Sequence, residues 1–66
     1  MKTGIVTMII GANRAYCFIK AETGERVLAA REVFKDPEAF MVGVNVKFQV
    51  RNPGEKKLKA IDVEAA

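Results

Sequence analysis

The sequence contains no histidine, no tryptophan and only one cysteine, Cys17, among its 66 residues. Zinc sites and thiol–imidazole pairs need several such side chains in one place, so a single chain cannot build either of them. One cysteine also cannot form an internal disulfide, which is typical of proteins from reducing compartments. These absences exclude the commonest metal sites and the cysteine–histidine type of nucleophilic catalysis.

Long apolar runs are also missing. A membrane-spanning helix needs about 20 consecutive apolar residues, and no stretch of this sequence approaches that length. The first residues include Lys2 but lack a sustained hydrophobic segment and a small-residue cleavage site, so we expect no signal peptide. Together with the single cysteine, these features predict a cytoplasmic protein.

The length and the charge favour a small binding module. We expect one domain, residues 1–66, and a domain of this size buries only about 60% of its unfolded surface, which disfavours a deep catalytic cleft. No nucleophile–base pair, phosphate-cradling glycine loop or metal-ligand spacing is present, so we predict a protein that is not an enzyme and needs no cofactor. The net charge of +3 suits a polyanion, although many small domains carry such a charge without binding one.

Hydrophobic periodicity predicts five short strands, at residues 4–10, 15–20, 25–30, 44–50 and 57–63. The fourth alternates most regularly, with four apolar residues on one face. In the fifth, the alternation predicts that Ile61 and Val63 are buried. Gly4 in the first strand indicates a bulge or a close approach of two backbones.

The connections between these strands carry turn residues. Glycine and asparagine predict turns at residues 11–13, 21–24 and 52–55. Asp36 and Pro37 resemble a helix start, and any helix must end by Gly43. The sequence therefore predicts an all-β fold, a small five-stranded antiparallel OB-fold barrel with a short helical turn between strands 3 and 4, since barrel closure removes exposed edges.

The second predicted strand concentrates unusual side chains. A period of two places Tyr16 and Phe18 on one face and Cys17 and Ile19 on the other. The second pair is compact and apolar, so we assign it to the core and its aromatic neighbours to the surface. The other possibility is that the two rings only pack inside the protein. Exposed rings between cations form a surface on which unpaired bases stack while the cations neutralise phosphates.

Five segments carry a resemblance to a known family. Residues 4–10 read GIVTMII, residues 14–19 read RAYCFI and residues 26–30 read RVLAA, with GVNVKF and AIDV at residues 43–48 and 60–63. In this order the segments resemble the cold-shock domain family, whose patterns are G-x-V-K-W-F-N, K-G-F-G-F-I, D-V-F-V-H, G-x-x-V-x-F and A-x-x-V. The similarity covers essentially the whole chain.

The resemblance implies an OB-fold protein that binds single-stranded RNA or DNA, as an RNA chaperone or a transcription accessory. Met8, Leu28 and Ala30 stand where the family has Trp, Phe and His, so the aromatic surface is reduced to Tyr16 and Phe18. The nucleic-acid-binding residues predicted on this basis are Met8, Arg14, Tyr16, Phe18, Lys20, Leu28, Arg31, Lys56 and Lys57.

An alternative interpretation is a protein-interaction module. Met8, Tyr16, Phe18 and Leu28 would form one apolar patch, and exposed apolar patches often mark contact sites between proteins. The patch would then mediate a homodimer or bind another protein, with nucleic-acid binding weakened or lost. Neither interpretation predicts a membrane contact or a small-molecule substrate.

Overall fold

The structure, a computed structural model, describes residues 2–51 and 58–66. These residues form a closed barrel of five strands, which are β1 (Lys2–Ile10), β2 (Tyr16–Ala21), β3 (Arg26–Ala30), β4 (Asn45–Arg51) and β5 (Lys59–Ala65). Each predicted strand is confirmed, and no strand end differs from the prediction by more than two residues. Within the described ranges, no helix is long and apolar enough to cross a membrane.

The strands follow one another around the barrel in the order β1-β2-β3-β5-β4, which agrees with the predicted small OB-like barrel. Four neighbouring pairs are antiparallel, and the β3–β5 pair is parallel, with Leu28 opposite Lys59. The sequence prediction described an antiparallel barrel and did not specify a parallel pair. A closed ring with an odd number of strands cannot alternate in direction all the way round, so one seam has to be parallel.

Short 3-10 helices and a tight turn connect the strands. The 3-10 helices are Ala12–Arg14, Arg31–Val33 and Pro37–Ala39, and the last two confirm a helical connection between β3 and β4. Asp36 precedes the third helix without capping it; its Oδ2 instead accepts a hydrogen bond of 3.4 Å from the backbone N–H of Ala65 in β5. Gly24 provides the positive φ that the β2–β3 turn requires.

Apolar side chains from all five strands fill the barrel. Cys17 and Ile19 of β2 are fully buried, as predicted, and Val46 and Phe48 of β4 are fully buried in the same core. The remaining buried residues of the core are Val6, Ala21, Val27, Ala29, Phe34, Ala39, Ala60 and Val63. Because β2 alternates strictly, burial of these two side chains directs Tyr16 and Phe18 outward.

A β-bulge in β5 makes one sequence prediction wrong. Val63 is buried as predicted, but Ala60 replaces Ile61 in the core and Ile61 is only half-buried. The register with β4 shifts between Lys47 and Gln49, and Asp62 adopts a positive φ of 51° at this point. The extra residue interrupts the alternation, so Ile61 emerges on the outside of the barrel.

A second bulge, in β1, decides where Met8 points. The register with β2 shifts between Val6 and Met8, and the extra residue is Thr7. Without it, Met8 would follow Val6 into the core. With it, Ile9 turns inward to pack against the core, and Met8 stands opposite Phe18 on the outside.

Candidate nucleic-acid interface

The outward side chains of β1, β2 and β3 form one continuous surface, here named the outer face. Strand register arranges it in three rows: Met8, Phe18 and Leu28 in the middle, Ile10, Tyr16 and Ala30 toward one end, and Ile5, Lys20 and Arg26 toward the other. Directly opposite residues on paired strands lie within contact distance of each other. The predicted residues Met8, Tyr16, Phe18, Lys20 and Leu28 therefore lie together.

Tyr16 and Met8 are the most exposed apolar residues of the outer face, at 45% and 55%. Phe18 and Leu28, the other two residues of the middle row, are half-buried. The guanidinium carbon of Arg26 lies 5.3 Å from the centroid of the Phe18 ring, a cation–π contact that covers part of the ring. Tyr16 is thus the ring most open to a ligand.

The Tyr16 ring packs against the backbone of Gly11 in the β1–β2 connection. Gly11 has a positive φ of 89°, and a Cβ atom there would lie 3.1 Å from Cδ2 of Tyr16. The ring therefore packs over a position that favours glycine on two counts, its backbone angle and the close contact.

Two grooves flank Tyr16. The larger groove has a volume of about 520 Å³ and crosses the parallel β3–β5 seam; its lining residues are Tyr16, Leu28, Ala30, Glu32, Val33, Arg51, Lys59, Ala60 and Ile61. The smaller groove measures about 380 Å³, and its lining residues are Asn13, Ala15, Tyr16, Ala30, Arg31 and Glu32. Both volumes fall in the range of about 300–1,000 Å³ that is usual for ligand sites. Tyr16 and Ala30 line both grooves, so a ligand in either one contacts the exposed ring.

The predicted cations take different positions. Lys20 lies at the end of the outer face, and Arg31 lines the smaller groove, where its guanidinium carbon is 5.4 Å from the Phe40 ring centroid. Arg14 is exposed in the 3-10 helix that leads into β2, and it lines neither groove. Lys56 and Lys57 lie outside the described residues.

The nucleic-acid-binding residues predicted from the sequence do not include the β5 side of the site. Arg51 and Lys59 stand directly opposite each other at the β4–β5 pairing, both are exposed, and both line the larger groove with Ile61. Alternation places Arg51 on the outer side of β4. No local pattern predicts the parallel seam that brings Lys59 beside Leu28 of β3, or the bulge that exposes Ile61.

Cys17 has no catalytic character in this setting. Its side chain is fully buried, and burial raises the pKa of the thiol to about 11, so the thiol stays protonated at neutral pH. Within residues 2–51 and 58–66, no group of three or more His, Cys, Asp or Glu side chains is placed to hold a metal ion.

Two sequence comparisons find no relative for this chain. No protein-family model matches the sequence, and a search of curated proteins finds no similar sequence. The class is therefore defined by the fold alone: a small closed β-barrel of OB-like architecture with an apolar and cationic outer face.

Proposed function

We propose that the protein binds single-stranded RNA or DNA on its outer face and acts in the cytoplasm as an RNA chaperone or a transcription accessory, as the resemblance to cold-shock domains implies. The observation that carries the proposal is the placement of Tyr16. It is the most open ring of the outer face, and it stands between two grooves that also contain cationic side chains.

Stacking supplies the sequence-tolerant part of the binding. A base stacked on an aromatic ring contributes about 1–3 kcal/mol, and Tyr16 offers one accessible face. Phe18 offers a second surface together with Arg26, whose planar guanidinium can itself stack on a base. Met8 and Leu28 extend the same middle row with flexible apolar contacts.

Cations around the rings supply phosphate contacts. Lys20 is exposed at one end of the outer face, Arg31 lines the smaller groove, and Arg51 and Lys59 line the larger groove. A strand that crosses Tyr16 therefore meets a cationic side chain in each of the two grooves that flank the ring. This arrangement suits an extended polyanion with unpaired bases.

The test is a titration of a labelled oligo-dT or oligo-U at low salt, followed by fluorescence anisotropy. Tyr16→Ala should weaken binding roughly 5- to 100-fold, which corresponds to about 1–3 kcal/mol of lost stacking. Met41→Ala is the matched control, because Met41 is an exposed apolar side chain, at 58% against 45% for Tyr16, and lines neither groove. Unchanged affinity in Tyr16→Ala would show that the outer face is not the binding site.

A second candidate function, protein contact through the same face, is favoured by the exposure of Met8 next to Tyr16 and Ile5. Met and aromatic residues are enriched at the centres of protein interfaces. Under this hypothesis the outer face binds a second copy of the chain or another protein. Self-association would appear as a molecular mass that rises with protein concentration.

A further inference from the structure

We propose that the larger groove is a nucleotide subsite that prefers guanine, with Glu32 as the residue that determines this specificity. The inference rests on the proposed function, because it assigns a base preference to the same nucleic-acid-binding face. It comes from the charge distribution along the groove, which is positive beside Leu28 and negative beyond Ala30.

The positive end is formed by Arg51 and Lys59. They are directly opposite each other on antiparallel strands, where Cβ atoms are about 4.5–5.5 Å apart and like charges repel. An anion between the two side chains relieves that repulsion. A nucleotide phosphate has the matching charge and can accept hydrogen bonds from both side chains.

The negative end is formed by Glu32, in the 3-10 helix that directly follows β3. Two backbone hydrogen bonds hold this helix: Arg31 N–H donates to the Ala15 carbonyl at 2.8 Å, and Phe34 N–H donates to the Arg31 carbonyl at 3.1 Å. Glu32 lines both grooves. The ion pairs among the described residues, Lys2–Glu25 and Lys35–Glu64, do not include it.

The middle of the groove is apolar and fits the planar base of a nucleotide. Leu28, Ala30 and Ile61 line it, and the Tyr16 ring stands at its border with the smaller groove. Ala30 leaves the space that a larger side chain would fill. A base that enters against Tyr16 thus has phosphate-binding cations on one side and a carboxylate on the other.

A carboxylate selects bases by their hydrogen-bond donors, because it only accepts hydrogen bonds. Guanine presents two adjacent donors on its Watson–Crick edge, N1–H and the N2 amino group, which match the two carboxylate oxygens. Thymine and uracil present one N–H between two carbonyl oxygens, and these oxygens repel a carboxylate. Adenine and cytosine present one amino group beside a ring nitrogen lone pair, so only one carboxylate oxygen finds a donor.

The experiment compares three oligomers of seven nucleotides: oligo-dT, the same oligomer with guanine at its centre, and the same with hypoxanthine there, which lacks the N2 amino group. The wild-type protein should bind the guanine oligomer about tenfold more tightly than oligo-dT, within the range of about 1–3 kcal/mol for one bidentate contact. Hypoxanthine should give an intermediate affinity. Glu32→Gln should remove the preference for the guanine oligomer over oligo-dT.

Glu38→Gln is the matched control, since Glu38 is an exposed acid that lines neither groove. It removes the same charge and should keep the guanine preference. Equal affinity of the wild-type protein for all three oligomers, or a preference that survives in Glu32→Gln, would overturn the guanine subsite while leaving the proposed function intact. Failure to bind any of the oligomers would instead overturn the proposed function.

Discussion

Gly4 lies where β1 passes close to β2. A Cβ atom at this position would be 2.5 Å from the Lys20 carbonyl oxygen and 2.9 Å from Cγ2 of Ile19. Neither neighbour moves freely, because one is backbone and the other belongs to a fully buried side chain. The close approach that the sequence predicted at Gly4 is therefore confirmed.

Gly4→Ala should lower the free energy of unfolding by about 2–3 kcal/mol, because the added methyl group overpacks the barrel. Chemical denaturation measures the effect. Gly24→Ala is the informative control: its Cβ atom would meet nothing within 4 Å, and its positive φ of 91° should cost only roughly 1 kcal/mol. If Gly4→Ala is as stable as the wild-type protein, the two backbones are not in contact there.

Strict alternation was enough to predict the residues of β2 correctly. Cys17 and Ile19 are inside, Tyr16 and Phe18 are outside, and no bulge interrupts the strand. The partners of these outward residues were harder to predict. The contact between Arg26 and Phe18 depends on the diagonal geometry of two paired strands, which a single strand pattern does not specify.

Among the strands, β1 and β5 depart most from regular alternation: the β1 bulge shapes the outer face, and the β5 bulge shapes the larger groove. Thr7 turns Met8 outward, and Asp62 turns Ile61 outward. Bulges add a residue to one strand without changing its hydrophobic composition, so periodicity alone cannot locate them. For this reason the prediction of burial for Ile61 was wrong although β5 itself was predicted.

The β5 bulge depends on a backbone angle that most residues avoid. Asp62 has a φ of 51°, a left-handed conformation that glycine adopts freely and that β-branched residues tolerate poorly. Asp62→Gly should raise the free energy of unfolding by up to about 1 kcal/mol, whereas Asp62→Val should lower it by about 1–2 kcal/mol. Urea denaturation of both variants measures the difference.

Lys47→Val provides the control for the valine substitution. Lys47 is exposed on the neighbouring strand and has ordinary extended backbone, so valine should change stability by less than about 0.5 kcal/mol there. Equal stability of Asp62→Gly and Asp62→Val would mean that the bulge does not hold Asp62 in a left-handed conformation.

At the scale of the whole barrel, closure creates the site. The parallel seam between β3 and β5 brings Lys59 and Ile61 beside Leu28, although about 30 residues of sequence separate them. The sequence predicts a five-stranded barrel from the number of strands and the length of the third connection. It does not predict which outward residues meet across the seam, because that pairing is set by strand order and stagger rather than by any local pattern.

The two candidate functions differ in how the whole molecule responds to salt. Lys20, Arg31, Arg51 and Lys59 lie on the outer face or line its grooves. If each neutralises one phosphate, the logarithm of the binding constant should fall with the logarithm of the salt concentration with a slope of about −2.8. Between about 50 and 200 mM salt, affinity should then fall roughly 50-fold.

Lys59→Ala should reduce this slope by about 0.7, because one phosphate contact is lost. Lys35→Ala is the control, since Lys35 lines neither groove and its Nζ lies 4.0 Å from a carboxylate oxygen of Glu64. Apolar self-association through Met8 and Tyr16 involves no phosphate and should lack this steep loss with salt. Two results together would favour protein contact over nucleic-acid binding. The molecular mass would double as the protein concentration is raised, and no oligonucleotide binding would be detected at low salt.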